Sequence, residues 1–196
     1  MNKAAFLDRD GVINEKAPTE DEYVTCWEEM KILPGVAEGI SLLNRAGFRV
    51  IVVSNQRSIA KGLITVAELE FIHRQMRDEL ARAGAKIDDI YYCPHELQPP
   101  CKCRKPEPGM LLEAAQAHEI DLTNSWIIGD SDKDVEAGRK AGCRTARVLR
   151  INDIKAGRAD IVARSLLDAA QQILSVEGLG QEVLTDRFEP GSYRTL

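Results

Sequence analysis

The sequence has no apolar run of 18 residues, no long run of Lys and Arg, no internal repeat and no low-complexity segment. The first absence excludes a typical transmembrane helix and argues against a membrane protein. Scattered basic residues and a net charge of -5 argue against a nucleic-acid-binding surface, so a small anion is the expected partner. The first strand-like run begins at about residue 3, which leaves no room for a secretory signal, so we expect a location in the reducing cytoplasm. We also expect the protein to be a monomer.

The cysteine content points to a metal rather than to disulfides. Five cysteines are an odd number, and three of them share an eleven-residue stretch with a histidine. Three thiolates and one imidazole are the ligand set of a closed, structural Zn²⁺ site, which would here consist of Cys93, His95, Cys101 and Cys103. The alternative is four unrelated residues in a flexible loop. Cys26 and Cys143 have no such neighbours, and we expect them to be packing residues.

The length of 196 residues and the apolar content of 44% are sufficient for one domain with a full core. Strand-like runs lie at about 3–7, 48–54, 87–92, 126–129, 145–149 and, more weakly, 160–163. Helical patterns alternate with them near 36–46, 66–83, 109–118, 133–141 and 165–175. This alternation predicts a three-layer α/β sandwich, and the nearly continuous apolar runs at 48–54 and 126–129 predict a mostly parallel central sheet. We expect the domain to span residues 1–177 and the aperiodic residues 178–196 to form a tail.

Two carboxylates follow the first predicted strand. Asp8 and Asp10 lie two positions apart, directly before Gly11, and residues two apart in an extended chain point to the same side. One carboxylate can attack a reacting atom while the other moves protons, as in phosphate transfer. The alternative is an ordinary turn, because Asp and Gly are common turn residues.

Polar side chains also follow three later strands, at the ends where ligands bind in parallel α/β sheets. They supply a hydroxyl group, amides, cations and clustered acids, and they are Ser54, Asn55, Gln56, Arg104, Lys105, Asp130, Ser131, Asp132 and Asp134. Several carboxylates in one cleft cannot all stay ionised without a cation, and oxygen ligands beside a phosphate favour Mg²⁺. The sequence therefore predicts a Mg²⁺ site. Asp134 is expected to orient Lys105 or the metal, with helix capping as the alternative.

The order of these motifs resembles that of the haloacid-dehalogenase-like (HAD-like) phosphatases. The four motifs are Asp8-Arg9-Asp10-Gly11, Ser54-Asn55-Gln56, Cys103-Arg104-Lys105-Pro106 and Gly129-Asp130 with Asp134. The Cys93-Pro94-His95 segment and residues 101–106 are similar to the branch that holds the heptose-bisphosphate phosphatases and the histidinol-phosphate phosphatase domain. The resemblance covers about residues 3–150.

The resemblance implies a role for each motif residue. Asp8 would be the nucleophile that becomes an aspartyl phosphate, and Asp10 would protonate the leaving oxygen and then activate water. Asp8, the carbonyl of Asp10, and Asp130 would hold Mg²⁺. Ser54 and Lys105 would act in catalysis by binding the reacting phosphoryl group. The remaining predicted substrate contacts are Asn55, Gln56, Arg57, Arg104 and Ser131.

The same resemblance implies that the substrate is D-glycero-D-manno-heptose 1,7-bisphosphate and that its 7-phosphate is removed. Histidinol phosphate is the alternative substrate. Arg57 stands where many relatives have a serine, and Arg57 and Lys61 are candidates to hold a second phosphate. A nucleic-acid 3′-phosphatase is a further alternative, which the acidic balance disfavours. The intact carboxylates and Lys105 disfavour an inactive binding module.

Overall fold

The computed structural model describes residues 1–17, 19, 22–149 and 158–179. In this part of the chain one sheet is formed by β1 (Lys3–Leu7), β2 (Phe48–Asn55), β3 (Asp89–Cys93), β4 (Trp126–Gly129), β5 (Arg144–Val148) and β6 (Ile161–Ala163). The strand order is β3-β2-β1-β4-β5-β6, and every neighbouring pair is parallel. The prediction of a mostly parallel sheet is confirmed.

Helices cover both faces of this sheet. They are α1 (Val36–Arg45), α2 (Val66–Arg82), α3 (Gly109–His118), α4 (Asp132–Ala141) and α5 (Leu166–Val176). Buried side chains of α1, α2 and α5 form one apolar cluster with one face of the sheet, and those of α3 and α4 pack against the other face. The fold is thus the expected three-layer sandwich. Among the described residues, no helix has the length and apolar character needed to cross a membrane.

The helix boundaries follow the local sequence. The hydroxyl oxygen of Thr65 accepts the backbone N–H of Glu68, and the Glu68 carboxylate accepts the backbone N–H of Thr65, so a capping box opens α2. Gly142 ends α4 with a φ of +87°, a left-handed conformation that glycine adopts without strain. Both features are typical of helix ends in their residue types.

The third strand differs from its predicted bounds. β3 begins at Asp89, two residues after the predicted start. The carboxylate of Asp88 accepts the backbone N–H of Val50 at 2.9 Å, so a side chain takes the place of a regular ladder bond before the strand begins. Residues 180–196 of the expected tail lie outside the described residues.

The sheet topology brings the motif residues together. β1 lies between β2 and β4, and the strand order reverses at the border of β1 and β4. In parallel α/β sheets, ligands bind at the carboxyl ends of the strands beside such a border. The segments that follow β1, β2 and β4 therefore face one cleft.

Candidate active site

Asp8 begins the loop that follows β1. Its backbone N–H donates to the carbonyl oxygen of Ile128 in β4 at 2.9 Å, which fixes the start of the loop against the neighbouring strand. The backbone N–H of Arg9 donates to Oδ1 of Asp8 at 2.7 Å. Gly11 then adopts a φ of +92° and turns the chain away from the sheet. The carboxylates of Asp8 and Asp10 both reach the cleft, as their spacing predicted.

Lys105 is a buried cation that lines the cleft beside Asp8. Its Nζ atom lies 2.9 Å from Oδ1 of Asp8 and 2.5 Å from Oδ1 of Asp134, and it donates to the carbonyl oxygen of Val53 at 2.7 Å. The side-chain amide of Asn55 fixes the backbone of the same residue, because it donates to the Lys105 carbonyl and accepts the Lys105 N–H, both at 3.0 Å. Lys105 therefore has one well-defined position beside Asp8.

The charges around Lys105 oppose the effect of burial. Burial lowers the pKa of Lys105, but the carboxylates of Asp134 and Asp8 outweigh it and leave the pKa above its ordinary value. Burial raises the pKa of Asp8 to about 6, although the Lys105 ammonium group acts in the opposite direction. Asp8 is thus a desolvated carboxylate that is held beside a permanent cation.

Asp10 is surrounded by hydrogen-bond donors. Nη2 of Arg9 lies 3.0 Å from each carboxylate oxygen of Asp10, Asn14 donates to Oδ1 at 3.0 Å, and Gln56 donates to Oδ2 at 3.1 Å. Burial raises the pKa of Asp10, but Arg9 and these bonds outweigh burial and hold the pKa below its ordinary value. The same Gln56 amide donates to Oγ of Ser54 at 2.7 Å. Two side chains predicted to bind substrate are thus joined to Asp10.

Three carboxylates form a candidate metal centre. One oxygen from each of Asp8, Asp130 and Asp134 lies within 4.8 Å of the others. A Cβ on Gly11 would lie 2.3 Å from Oδ2 of Asp130, so the missing side chain is what makes room for this carboxylate. Nζ of Lys16 lies 3.4 Å from the same oxygen. Closely spaced, hard oxygen donors fit Mg²⁺ well.

Asp134 has both of the contacts that its position in the sequence suggested. One carboxylate oxygen pairs with Lys105, and the other accepts the hydroxyl group of Ser131 at 2.5 Å and its backbone N–H at 3.1 Å, which caps α4. A Cβ on Gly129 would lie 2.1 Å from the Cβ atom of Asp134. Glycine at this position therefore permits the close approach of α4 to the end of β4.

The cysteine-rich segment forms a second candidate metal centre. The Sγ atoms of Cys93, Cys101 and Cys103 lie 3.3 to 3.5 Å apart, and Nδ1 of His95 lies 3.2 Å from the Cys103 sulfur atom. A tetrahedral Zn²⁺ ion spaces such ligand atoms by roughly 3.5–3.8 Å, which is within a few tenths of an ångström of these values. Burial and the two neighbouring thiols raise the pKa of Cys103 to about 12. Three thiolates this close together would therefore need a cation to offset their charges. The set fits zinc.

A cavity of about 480 Å³ is lined by the carboxylates of the site and by Lys105. Most of the predicted substrate contacts line it, namely Ser54, Asn55, Arg57, Arg104, Lys105 and Ser131. Gln56 instead donates to Ser54 and Asp10. Arg57 forms an ion pair with Glu96, and Arg104 donates to the carbonyl oxygen of His95 at 3.3 Å. Lys61 lies over the ring of Tyr23. The basic lining also includes Lys16, Lys133 and Arg147.

Comparison with known proteins identifies the family. Residues 102–169 match the HAD-hydrolase-like family model. The chain is 44% identical over 146 residues to D-glycero-beta-D-manno-heptose-1,7-bisphosphate 7-phosphatase of Rhodopseudomonas palustris, with 71% of this chain and 79% of that protein covered. It is 37% identical to the Escherichia coli K12 protein of the same name, with 87% and 93% covered. The chain belongs to the heptose-1,7-bisphosphate 7-phosphatase family of HAD-like phosphatases.

Solved structures of this family have the same fold. One is the D,D-heptose 1,7-bisphosphate phosphatase of Bordetella bronchiseptica, complexed with magnesium and phosphate, which superposes with a TM-score of 0.79. Its sequence is 34% identical, and the match covers 89% of this chain and 99% of that chain. The Burkholderia thailandensis enzyme has a TM-score of 0.65 at 31% identity, with the same coverage. As a HAD-like phosphatase, the protein is a phosphoric monoester hydrolase, which agrees with the prediction from its motifs.

Two buried contacts of the phosphatase site were missed by the sequence analysis. Arg9 stands between two carboxylates in the sequence, and its side chain is 1% exposed and forks onto Asp10. His73 in α2 is the second such residue, because its ring contacts Arg9. The position of Arg9 inside the Asp8-Arg9-Asp10 motif was the one available signal. His73 occupies an ordinary core position of a helix, and its sequence context carries no such signal.

Proposed function

We propose that this protein is a Mg²⁺-dependent phosphatase that removes the 7-phosphate of D-glycero-D-manno-heptose 1,7-bisphosphate, in the β form named for its relatives. The observation that carries the proposal is the ion pair of Asp8 and Lys105, 2.9 Å apart in a buried cleft of a chain that belongs to this family. A carboxylate nucleophile beside a fixed cation suits phosphoryl transfer, because the reaction depends on positioning and on stabilisation of charge.

We assign the first chemical step to Asp8. Oδ1 of Asp8 carries the bonds from Lys105 and from the Arg9 N–H, so the other oxygen, Oδ2, is the one that attacks phosphorus. The bond between phosphorus and the sugar oxygen breaks, and Asp10 gives a proton to that oxygen as it leaves. Ser54 and Lys105 bind the phosphoryl oxygens. The products of this step are the monophosphorylated sugar and an aspartyl phosphate.

The second step returns the enzyme to its starting state. Asp10 takes a proton from a water molecule as the water oxygen attacks phosphorus, and inorganic phosphate leaves Asp8. The donors around Asp10 favour its carboxylate form, which is the form a general base needs. For the acid step, the negative charge of the arriving phosphate raises the pKa of Asp10 and favours its protonation.

Two metal ions complete the proposal. Asp8, the carbonyl oxygen of Asp10, and Asp130 would hold Mg²⁺, and Asp134 would support this centre through its contact with Lys105. When bound, Mg²⁺ neutralises charge between the nucleophile and the phosphate. Cys93, His95, Cys101 and Cys103 would hold a structural Zn²⁺ ion that fixes the segment carrying Arg104 and Lys105. Residues 1–177 would form the phosphatase domain.

Two cations of the cavity lining favour a bisphosphate over histidinol phosphate. Arg104 and Lys133 line the cavity, where a second phosphate would gain from charge-assisted bonds. Histidinol phosphate instead places a cationic amine there, which arginine and lysine repel. Arg57 and Lys61 are weaker candidates than the sequence suggested, because Arg57 pairs with Glu96 and Lys61 contacts Tyr23.

Phosphate release from the two substrates tests the proposal. We expect a higher kcat/KM for heptose 1,7-bisphosphate, and a loss of about tenfold to a hundredfold for this substrate alone in Arg104→Ala, because a charge-assisted bond contributes about 1.5–3 kcal/mol. Arg82→Ala is the control, since Arg82 is an exposed arginine that pairs with Glu79 far from the cleft. A preference for histidinol phosphate would transfer the assignment to that substrate, and an equal loss for both would remove Arg104 from substrate discrimination.

A further inference from the structure

A buried histidine is joined to the proposed acid and base through one arginine. Arg9 and His73 are 1% and 5% exposed, so both polar side chains must find partners inside the protein. Arg9 binds both oxygens of Asp10 with Nη2, and its Nε atom lies 3.3 Å from Oδ1. Its remaining nitrogen, Nη1, lies 3.2 Å from Nε2 of His73. One guanidinium group therefore bridges Asp10 and His73.

The chemistry of this bridge fixes the state of the histidine. Arginine only donates hydrogen bonds and keeps its charge in proteins, so Nε2 of His73 must accept and the ring proton must lie on Nδ1. Burial and the charge of Arg9 lower the pKa of His73 to about 3, which agrees with a neutral ring. The ring of Tyr92 packs edge-on against His73 at a centroid distance of 5.7 Å. His73 is thus a rigid acceptor at neutral pH.

The position of this acceptor determines the rotation of the Arg9 guanidinium group. A planar fork can hold both oxygens of a carboxylate only in one orientation, and a third contact at its far end limits rotation out of that plane. We propose that His73 is a positioning residue for phosphoryl transfer, which acts by fixing the Arg9 fork that aims Asp10 at the leaving oxygen. This inference rests on the proposed role of Asp10 as general acid.

Dependence on the leaving group separates positioning from a purely structural role. A sugar alkoxide is a poor leaving group that needs a proton from Asp10, whereas p-nitrophenolate leaves without one. The kcat/KM value covers formation of the aspartyl phosphate, so it reports this proton transfer. A structural defect lowers the amount of active enzyme and reduces kcat/KM equally for both substrates. A misaimed Asp10 affects the sugar phosphate selectively.

We would measure kcat/KM of the Mg²⁺-loaded protein with heptose bisphosphate and with p-nitrophenyl phosphate. For His73→Leu we expect about a tenfold loss with the sugar phosphate and less than about threefold with the aryl phosphate, since general acid catalysis contributes about 10²–10⁴-fold in all. His73→Gln should recover most of the loss, because the glutamine oxygen can accept from Arg9. Equal losses with the two substrates, or no recovery in His73→Gln, would overturn the inference.

Two further variants keep the test decisive. Arg9→Lys retains the charge but cannot fork, so it should show the same selective loss even if His73→Leu does not fold. Asp10→Asn tests the underlying function, with an expected selective loss of about a hundredfold or more. If Asp10→Asn is not selective, the general-acid role itself fails. If Asp10→Asn is selective while His73→Leu and Arg9→Lys are not, only the positioning role of His73 fails.

Discussion

Replacing Asp8 with Asn is expected to abolish turnover and, without Mg²⁺, to stabilise the fold near neutral pH. A neutral amide cannot accept the phosphoryl group, so phosphate release should stop. The stabilising effect has a separate cause. Burial raises the pKa of Asp8 to about 6, which means that the folded protein resists ionisation of this carboxyl group even beside Lys105. Function therefore requires a charge that the fold disfavours.

The size and sign of this effect follow from proton linkage. The folded pKa of Asp8, about 6, is higher than its ordinary value of 3.8, so the folded state binds more protons between these pH values. Stability from this group is fully present below pH 3.8 and is lost as pH rises through about 6. A shift of about two units corresponds to roughly 2–3 kcal/mol above pH 6. Asp8→Asn avoids this loss.

Urea unfolding at two pH values measures the effect. In Mg²⁺-free buffer that leaves zinc in place, Asp8→Asn should exceed the wild type by roughly 2–3 kcal/mol at pH 7.5 and by much less at pH 4. Saturating Mg²⁺ should remove most of the difference, because an ion at 100 times its Kd stabilises the wild type by about 2.7 kcal/mol. Asp78→Asn, at an exposed carboxylate, is the control. A variant less stable than the wild type at pH 7.5 would refute the reasoning.

The fold and the first set of site residues could be predicted because local signals determine them. Alternation of strands and helices predicted the three layers, and the carboxyl ends of parallel strands predicted that Asp8, Ser54 and Asp130 meet. The spacing of the cysteines likewise predicted a cluster that the structure contains. In each case the information lies within a few residues or in the topology alone.

Contacts between distant side chains could not be predicted in this way. Arg57 was one candidate to hold a second phosphate, and its ion pair with Glu96, 39 positions later, could not be predicted from the sequence. His73 follows Leu69 and Ile72 on the buried face of α2, where its spacing is that of a core residue. Its role depends on Arg9, which lies 64 positions earlier. Burial of a charged residue is decided by its partner, and a single sequence does not give that partner.

Three further predictions address the metals and the buried histidine. Gly11→Ala should raise the Mg²⁺ concentration for half-maximal activity at least about tenfold, because a Cβ would lie 2.3 Å from Asp130 Oδ2. Gly84→Ala is the control and should leave this concentration unchanged, because Gly84 has a similar positive φ but open space around its Cβ position. Metal analysis should find about one zinc per chain in the wild type and in Cys143→Ser but almost none in Cys101→Ser. A normal zinc content in Cys101→Ser would remove Cys101 from the ligand set. Between pH 4 and 6, wild-type stability should rise with pH more steeply than that of His73→Gln, by up to about 1.4 kcal/mol per unit in urea unfolding. Stability rises with pH because the folded pKa of His73, about 3, is lower than the ordinary value of 6.5, so that between these pH values only the unfolded chain binds this proton. Equal slopes for the two proteins would mean that the folded protein accepts a charge on His73 beside Arg9.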